Sequence, residues 1–515
     1  MFMSNPALPI STGEAFRNYF THLCYFGVKA TIVEVRKLLM PLIIGRRQTP
    51  IARVSRYFIL SEKYSFTLPV HVADTHDDSP SFNASLHVTN DSDGSPNFNA
   101  SLHATEDSGN PPYINASLHV TEDSDDSPYF NASRHRKLYS LSTPDHKYFN
   151  IDFGNISAFN PNIIPHPTKP GTFVVFASEL QTSSDKLDNR EIFCVATFTS
   201  NQTLRCLDRP TPLPVRLVEG NCQGDLVYYN WKKGPRDARV FWGPDRPYIV
   251  YGSLATRSCL GLFVQDLGSL VPDFSDDAQE DLVFTNDTEM QRPPPFSTIQ
   301  KNWFLFWDAE GQAHVHQDTY PNRTFTQLLP DGSVGPDLSI DAEETDMACL
   351  SEYFPKFREK RWENIHQATN SLTITLCKRS DPSCSANDEN TFIMTIFQHK
   401  TYFSYHPEYY PYVMLFRRTA PFAVHAISTK SLWINGKVPL TNTTQSILLN
   451  GRVEKQDEMF YVTSMNWKTP GQHYHGYLDD PLFLGFGIED TRSGGIDVLA
   501  ADLLKDMGSC ADAGT

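Results

Sequence analysis

From Lys147 onward the chain alternates short apolar runs with breaks rich in Pro, Gly, Asn and Asp. The runs include "TFVVFASE", "IFCVATFT", "DLVYYNW", "ARVFWG", "YIVYGS", "GLFVQDL" and "NWFLFWD", then "SLTITLC", "FIMTIFQHK", "YVMLFRR", "FAVHAIS", "MFYVTSMNW" and "LFLGFGIED". They are short, rich in β-branched and aromatic residues, and bounded by turn formers, which predicts β-strands. Helical periodicity is confined to short pieces such as "IDVLAADLLKD". The runs fall into five clusters, about 157–215, 221–290, 297–345, 365–440 and 455–507. Each can supply one four-stranded blade. The pattern therefore predicts a mainly β protein whose body, 147–515, is a five-bladed β-propeller. Loops from every cluster would then meet at one mouth of a central channel, a common place for a ligand.

The first third has a different texture. "FNASLHVTNDSDGSP" starts a 16-residue unit that recurs with Asn-Ala-Ser at Asn83, Asn99, Asn115 and Asn131. Asn-x-Ser is an acceptor for N-linked sugar. The flanks carry few large apolar residues, so burial cannot offset the entropy of ordering them. Residues 76–146 are expected to be a disordered linker, glycosylated if the chain is secreted. The unit lacks the apolar stripe of a solenoid. Residues 1–75 form a separate segment. Its apolar stretch "LCYFGVKATIVEVRKLLMPLIIGRR" is interrupted by Lys29, Glu34, Arg36 and Lys37, and "LLMPLII" is too short to span a bilayer. A degenerate signal anchor, an amphipathic helix and a misplaced gene start all fit it. Any membrane attachment would pass through this segment.

Charge and cysteines narrow the setting. A net charge of -16 argues against nucleic acid as a partner. Nine cysteines occur without a CxxC pair, so no zinc ribbon or other metal site is expected. Cys24 stands apart, and the eight from Cys194 to Cys510 form an even set. Cys194 and Cys206 flank a turn at "TSNQT", and Cys377 and Cys384 close "CKRSDPSC". Both are expected as disulfides, with the remaining connectivity open. Further sequons at Asn90, Asn155, Asn201, Asn286, Asn322 and Asn442 join the even cysteines in pointing to the secretory pathway, whether Golgi lumen, membrane-anchored or secreted. No Gly-rich phosphate loop, G-x-S-x-G elbow or HExxH occurs, and no cofactor is implied.

The stretch with the most chemistry is "GPRDARVFWGPDRPYIVYGS", Gly234–Ser253. Asp237 lies between Arg236 and Arg239 on a turn entering a strand. Arginine forks can hold phosphate bidentately. The plain alternative is a structural ion-pair knot. "HVH" (His314, His316) and "HYH" (His473, His475) each put two imidazoles on one strand face, which without a third ligand reads as polar strand surface. His366 and Gln367, and Gln398, His399 and Lys400, sit at strand ends where they could meet sugar hydroxyls or cap loops. Asp479–Asp480 and the acidic run Asp273–Asp281 read as solvated charge.

The Gly234–Ser253 turn resembles the Gly-x-Glu-Asp-Pro-Arg turn of the mannoside phosphorylases of glycoside hydrolase family 130 and their five-bladed propeller relatives. It also looks like the fungal β-1,2-mannosyltransferases and related proteins of filamentous fungi. "NPNIIPHP", "QKNWFLFW", "APFAVHAISTKSLWI" and "HYHGYLDDPLFLGFGIEDTRSGGIDVLAADLL" resemble, in order, pieces of the first, third, fourth and closing blades. The resemblance spans 147–510 in scattered pieces. It implies Asp237 as the proton donor or relay to the glycosidic oxygen, Arg239 and Lys301 as cations near phosphate or sugar hydroxyls, and Asp490 as the last-blade carboxylate near the sugar. Arg236 stands where the phosphorylases have Glu, and Ala238 where they have Pro. The extra Arg suits binding of a sugar-nucleotide phosphate. The expected activity is transfer of a mannosyl-type sugar from a donor such as GDP-mannose to a glycan acceptor, with Arg236, Arg239, Lys301 and His399 binding substrate. The alternatives are a glycoside hydrolase or phosphorylase of the same fold, and a non-catalytic carbohydrate-binding or scaffold propeller.

Overall fold

The computed structural model describes residues 83–90, 96–103, 129–181, 188–275, 282–357, 362–403, 406–440, 448–449, 452–453 and 456–513. The chain divides into two compact units, Met1–Glu122 and Asp123–Thr515. In the first, β1 (Asn83–Asn90) and β2 (Pro96–His103) pair antiparallel. They bring the first two sequence repeats together, with Asn99 opposite His87. The repeat "NASLHV" alternates side-chain character with period two, so it can pair with its own copy. Asn115 and the 1–75 segment lie outside the described residues.

The second unit is a five-bladed β-propeller. Before it, β3 (His135–Leu138) and β4 (Phe149–Asp152) lead in. The first blade holds β5 (Ala158–Pro165), β6 (Phe173–Glu179), β7 (Glu191–Phe198), β8 (Leu204–Cys206) and β9 (Thr211–Pro212). The second holds β10 (Arg236–Trp242), β11 (Pro247–Leu254), β12 (Leu260–Asp266) and β13 (Thr288–Glu289). The third holds β14 (Phe304–Trp307), β15 (Ala313–Asp318) and β16 (Thr324–Gln327), followed by helix α1 (Glu343–Tyr353). The fourth holds β17 (Trp362–Gln367), β18 (Leu372–Thr375), β19 (Thr391–Phe403), β20 (His406–Arg417) and β21 (Val424–Ser428). Then come β22 (Ser431–Ile434) and the short hairpin β23 (Leu448–Leu449) and β24 (Arg452–Val453). The fifth blade has β25 (Phe460–Trp467), β27 (Pro481–Ile488) and β28 (Arg492–Leu499). Between them β26 (His475–Tyr477) runs parallel to β18, and after α2 (Ala500–Leu503), β29 (Met507–Ser509) pairs with β21.

The ring closes with early chain. β4 pairs antiparallel with β28 and parallel with β8, joining the last blade to the first. β3 runs parallel to β22. Ser140 and Ser142 donate to the buried carboxylate of Asp497, at 2.6 and 2.7 Å. Residues 129–146 are therefore built into the propeller unit, although the repeat composition assigns them to the linker. Exposed Asn131 is the one Asn of the four repeats in this unit.

Aromatic packing fills the blade interfaces. Trp307 stacks on Tyr248 at 5.5 Å between the second and third blades, and Phe483 meets Phe173 at 5.1 Å between the fifth and first. Inner strands cannot form ladders with one another, so their edge amides need other partners. Side-chain amides supply them. Asn162 donates to Ala238 O and accepts from Val240 N, both at 3.0 Å. Asn370 donates to Met465 O at 2.8 Å and accepts from Met465 N at 3.1 Å. Gln398 clasps Val462 N and O at 3.2 Å each, and Asn466 donates to Val240 O at 3.0 Å. A carboxamide carries one donor side and one acceptor side, as a peptide does. All four amides are buried.

Two runs depart from their predicted elements. "DLVYYNW" is a 3-10 helix, Gly224–Trp231, not a strand. The Asn230 amide bonds both Cys222 N and Cys222 O at 2.9 Å and curls the segment back on itself. "IDVLAADLLKD" runs as strand through Leu499, and only four residues turn helical. Gly495, just before this run on the same strand, packs against Phe149, where a Cβ would lie 2.5 Å from the ring.

Eight cysteines form four disulfides: Cys194–Cys206, Cys222–Cys259, Cys349–Cys510 and Cys377–Cys384. Both pairs expected from local spacing are present. The bridges are those of an extracellular or secretory-pathway protein. Among the described residues no helix is long and apolar enough to cross a membrane.

Candidate functional site

The starting ends of the inner strands share one mouth of the propeller. Five non-glycine residues there have left-handed backbone: Asn160 (φ 56), Asp237 (φ 51), Asn302 (φ 63), Glu489 (φ 54) and Asp490 (φ 49). Such geometry costs energy and concentrates at functional sites. Two β-bulges produce part of it. The β5–β6 register shifts between Phe159 and Asn162, and the β10–β11 register shifts between Arg236 and Arg239. The second bulge leaves Asp237 exposed while Ala238 and Arg239 are buried. Gly487 fits the first, since a Cβ there would lie 2.2 Å from Asn160 Oδ1.

The ion-pair knot does not form. Arg239 donates from Nε to Ala368 O at 2.7 Å and from Nη1 to the backbone carbonyl of Asp237 at 2.8 Å. Arg236 donates to Lys232 O and lies 5.2 Å over the Tyr229 ring. Neither guanidinium bonds the Asp237 carboxylate.

That carboxylate is felt elsewhere. Asp490 is accessible, yet neighbouring protein surrounds its carboxyl. Burial, then the Asp237 carboxylate, then Glu489 push its pKa up to about 6, against Lys400 and His406. Burial pushes Tyr461 up to about 12, with Arg239 opposing and Asp237 and Asp490 adding to the rise. These effects put Asp237, Arg239, Tyr461 and Asp490 in one neighbourhood, drawn from the second and fifth blades. Tyr461 packs on Tyr409 at 4.8 Å, and Lys400 Nζ lies 5.3 Å from the Tyr409 ring. Burial, then Lys301, then Lys400 hold His366 down at about 3, which ties the exposed Lys301 to the same group. Asn302 Nδ2 lies 3.5 Å from His366 Nδ1.

His399 lies on the other face of its strand. It bonds Glu363 at 2.9 Å and stacks on Phe357 at 5.6 Å. Neighbouring strand residues face opposite ways, so Lys400 is the member of the pair facing Tyr409. The "HVH" imidazoles are buried, not polar surface: His314 stacks on Phe306 and His316 on Phe304. Asp480, read as solvated, is buried against Arg379. Part of the Asp273–Asp281 run lies outside the described residues.

Sequence reasoning missed Glu191. It is buried at the first position of β7, with Oε1 accepting from Ser178 Oγ at 2.6 Å and Ala238 N at 3.4 Å, while Oε2 has no partner among the described residues. Burial raises its pKa from 4.5 to about 8, and Asp237 adds to the rise. The folded state thus keeps a proton that the unfolded chain releases above pH 4.5. Stability falls as pH climbs from there toward about 8, then levels. Glu191→Gln keeps the acceptor and supplies a neutral donor. Urea unfolding should show it more stable than the parent by more than about 1 kcal/mol at pH 8, with the gap closing toward pH 5. A gap that does not change with pH would contradict a protonated Glu191.

The chain matches no family model and no curated protein. Among solved structures it is similar to a β-1,2-mannobiose phosphorylase from Listeria innocua, at 11% identity and TM-score 0.36, covering 72% of this chain and 96% of that one. It is similar to the catalytic domain of a Coprinopsis cinerea GH62 α-L-arabinofuranosidase, at 10% identity and TM-score 0.34, covering 69% and 97%. It is also similar to an endo-arabinase from Bacteroides thetaiotaomicron, at 8% identity and TM-score 0.31, covering 68% and 96%. Likenesses this distant carry no chemistry across; the blade order above carries the fold.

Proposed function

We propose that the Asp237 mouth cleaves glycosidic bonds, by hydrolysis or phosphorolysis. The supporting observation is the pair of carboxyls, Asp237 and Asp490, at one mouth, near enough that burial and the Asp237 charge together push the Asp490 pKa up to about 6. Glycoside cleavage needs that asymmetry. Asp490 gives its proton to the leaving oxygen as the bond from the anomeric carbon breaks. In hydrolysis Asp237 takes the proton of the attacking water. In phosphorolysis phosphate attacks instead, and Lys301 and Lys400 offset its charge. Tyr409 and Tyr461 give the sugar ring aromatic and hydroxyl contacts.

The two lysines beside His366 also favour a second reading, in which they hold the diphosphate of a donor such as GDP-mannose and a glycan accepts the sugar. The test is product analysis by mass spectrometry. The whole protein is given aryl mannosides, arabinofuranosides, xylosides and galactosides with and without phosphate, and GDP-mannose with mannoside acceptors. Release of sugar or sugar phosphate from a glycoside without GDP-mannose is expected. Turnover of GDP-mannose alone would establish the transferase. Glycan binding without turnover, kept in Asp237→Asn, would establish a binding propeller.

A further inference from the structure

The inner strands finish at the opposite mouth, past Trp242, Trp307, Thr375 and Trp467. A cavity of about 830 Å³ opens there, within the range of small-molecule sites. Pro244, two residues past the end of β10 and seven beyond Asp237, is on its wall, which sets the two mouths roughly 20 Å apart at strand rise. The buried amides of Asn162, Asn370 and Asn466 join inner strands between the two mouths.

Two arginines line this cavity in a strongly acidic protein. Arg379 bonds Asp480 through Nε at 2.9 Å and Nη2 at 2.5 Å. Arg418 bonds Asp388 Oδ1 through Nε at 3.0 Å and Nη2 at 2.8 Å. In each fork no acceptor meets Nη1 among the described residues. Both charges bear on one imidazole: burial, then Arg379, then Arg418 hold the cavity-lining His475 below its ordinary value. Both arginines therefore lie within electrostatic reach of His475 in this cavity. Gln472 is anchored by its amide nitrogen to His475 O at 3.1 Å and Asp480 at 2.8 Å, and its amide oxygen meets no donor among the described residues. His473 is held flat against Trp242, 4.1 Å between centroids and 2° from parallel. The cavity so combines two unspent guanidinium donors, an anchored amide acceptor and a fixed ring.

We propose that this far cavity binds a sugar carrying an anionic group, a uronate or a sugar phosphate, at a site separate from the Asp237 mouth. The anion meets the two Nη1 donors, and hydroxyls meet Gln472 Oε1 and the carboxylates of the wall. Guanidinium forks recognise both carboxylate and phosphate, so the shared chemistry is the anion on a polyol.

The test is calorimetric titration of the whole protein with glucuronate, mannose 6-phosphate, mannose, glucose and inorganic phosphate. At least one anionic sugar should bind at least about tenfold more tightly than the neutral sugars and than phosphate alone. Preference between glucuronate and mannose 6-phosphate assigns the anion. Arg418→Met should weaken that binding about tenfold or more, and Ala309→Trp, which fills the cavity without removing charge, should abolish it. Asp237→Asn should leave it unchanged, which keeps this outcome distinct from the fate of the cleavage reading. Equal binding of neutral and anionic sugars, no binding of any probe, or binding lost in Asp237→Asn but kept in Arg418→Met and Ala309→Trp would overturn the proposal.

Discussion

Asp237→Asn is expected to cut glycoside turnover by about two to four orders of magnitude, the usual weight of a positioned acid or base. The substitution keeps the size and hydrogen-bonding reach of the side chain but removes its charge and basicity. The bulge should survive, because Arg239 and Glu191 hold its backbone, not its carboxylate. Stability should therefore move by less than about 1 kcal/mol, as for a change at an accessible position. Kinetics and urea unfolding on one preparation separate the two effects. Full activity in Asp237→Asn, or lost activity explained by unfolding, would remove Asp237 from the reaction.

A comparably large effect, on stability, is expected at the axis. Asn370→Leu leaves Met465 N–H and C=O without partners in a fully buried setting. An orphaned buried group costs about 1–3 kcal/mol, so the variant should lose roughly 2–5 kcal/mol. The substitution is far less damaging if the amides are ornaments on a core held by aromatic packing alone. A loss below about 0.5 kcal/mol in urea unfolding would show that.

These two residues mark what the sequence makes legible. Strand runs such as "TFVVFASE" and "FIMTIFQHK" are readable because pleated, half-buried surface leaves a compositional trace. The clamps are not readable. Asn162, Asn370 and Asn466 sit among other polar or turn-forming residues, as in "NPN", "ATNS" and "TSMNWK", and their partners lie on strands of other blades. The local pairs Cys194–Cys206 and Cys377–Cys384 follow from turn spacing, whereas Cys349–Cys510 joins residues 161 apart through the fold. At the mouth, Asp237 is marked by its turn. Lys400 was open to strict alternation along "FQHK", since His399 and Lys400 cannot share a face. Glu191 had no signal at all: a carboxylate opening a strand reads as solvated until β10 is laid across it.

The account stands most directly on the proton held by Asp490 against the charge of Asp237. The deciding measurement is the pH profile of kcat/KM, on a glycoside the protein cleaves, for the parent and for Asp237→Asn. Asp490 must be protonated to act, so kcat/KM should fall about tenfold per pH unit above an apparent pKa near 6. In the residual activity of Asp237→Asn that limb should move to lower pH, because the neighbouring charge that raises the pKa is gone. A profile flat from pH 5 to 8, or a limb that stays in place without Asp237, would contradict the coupled pair and the function drawn from it.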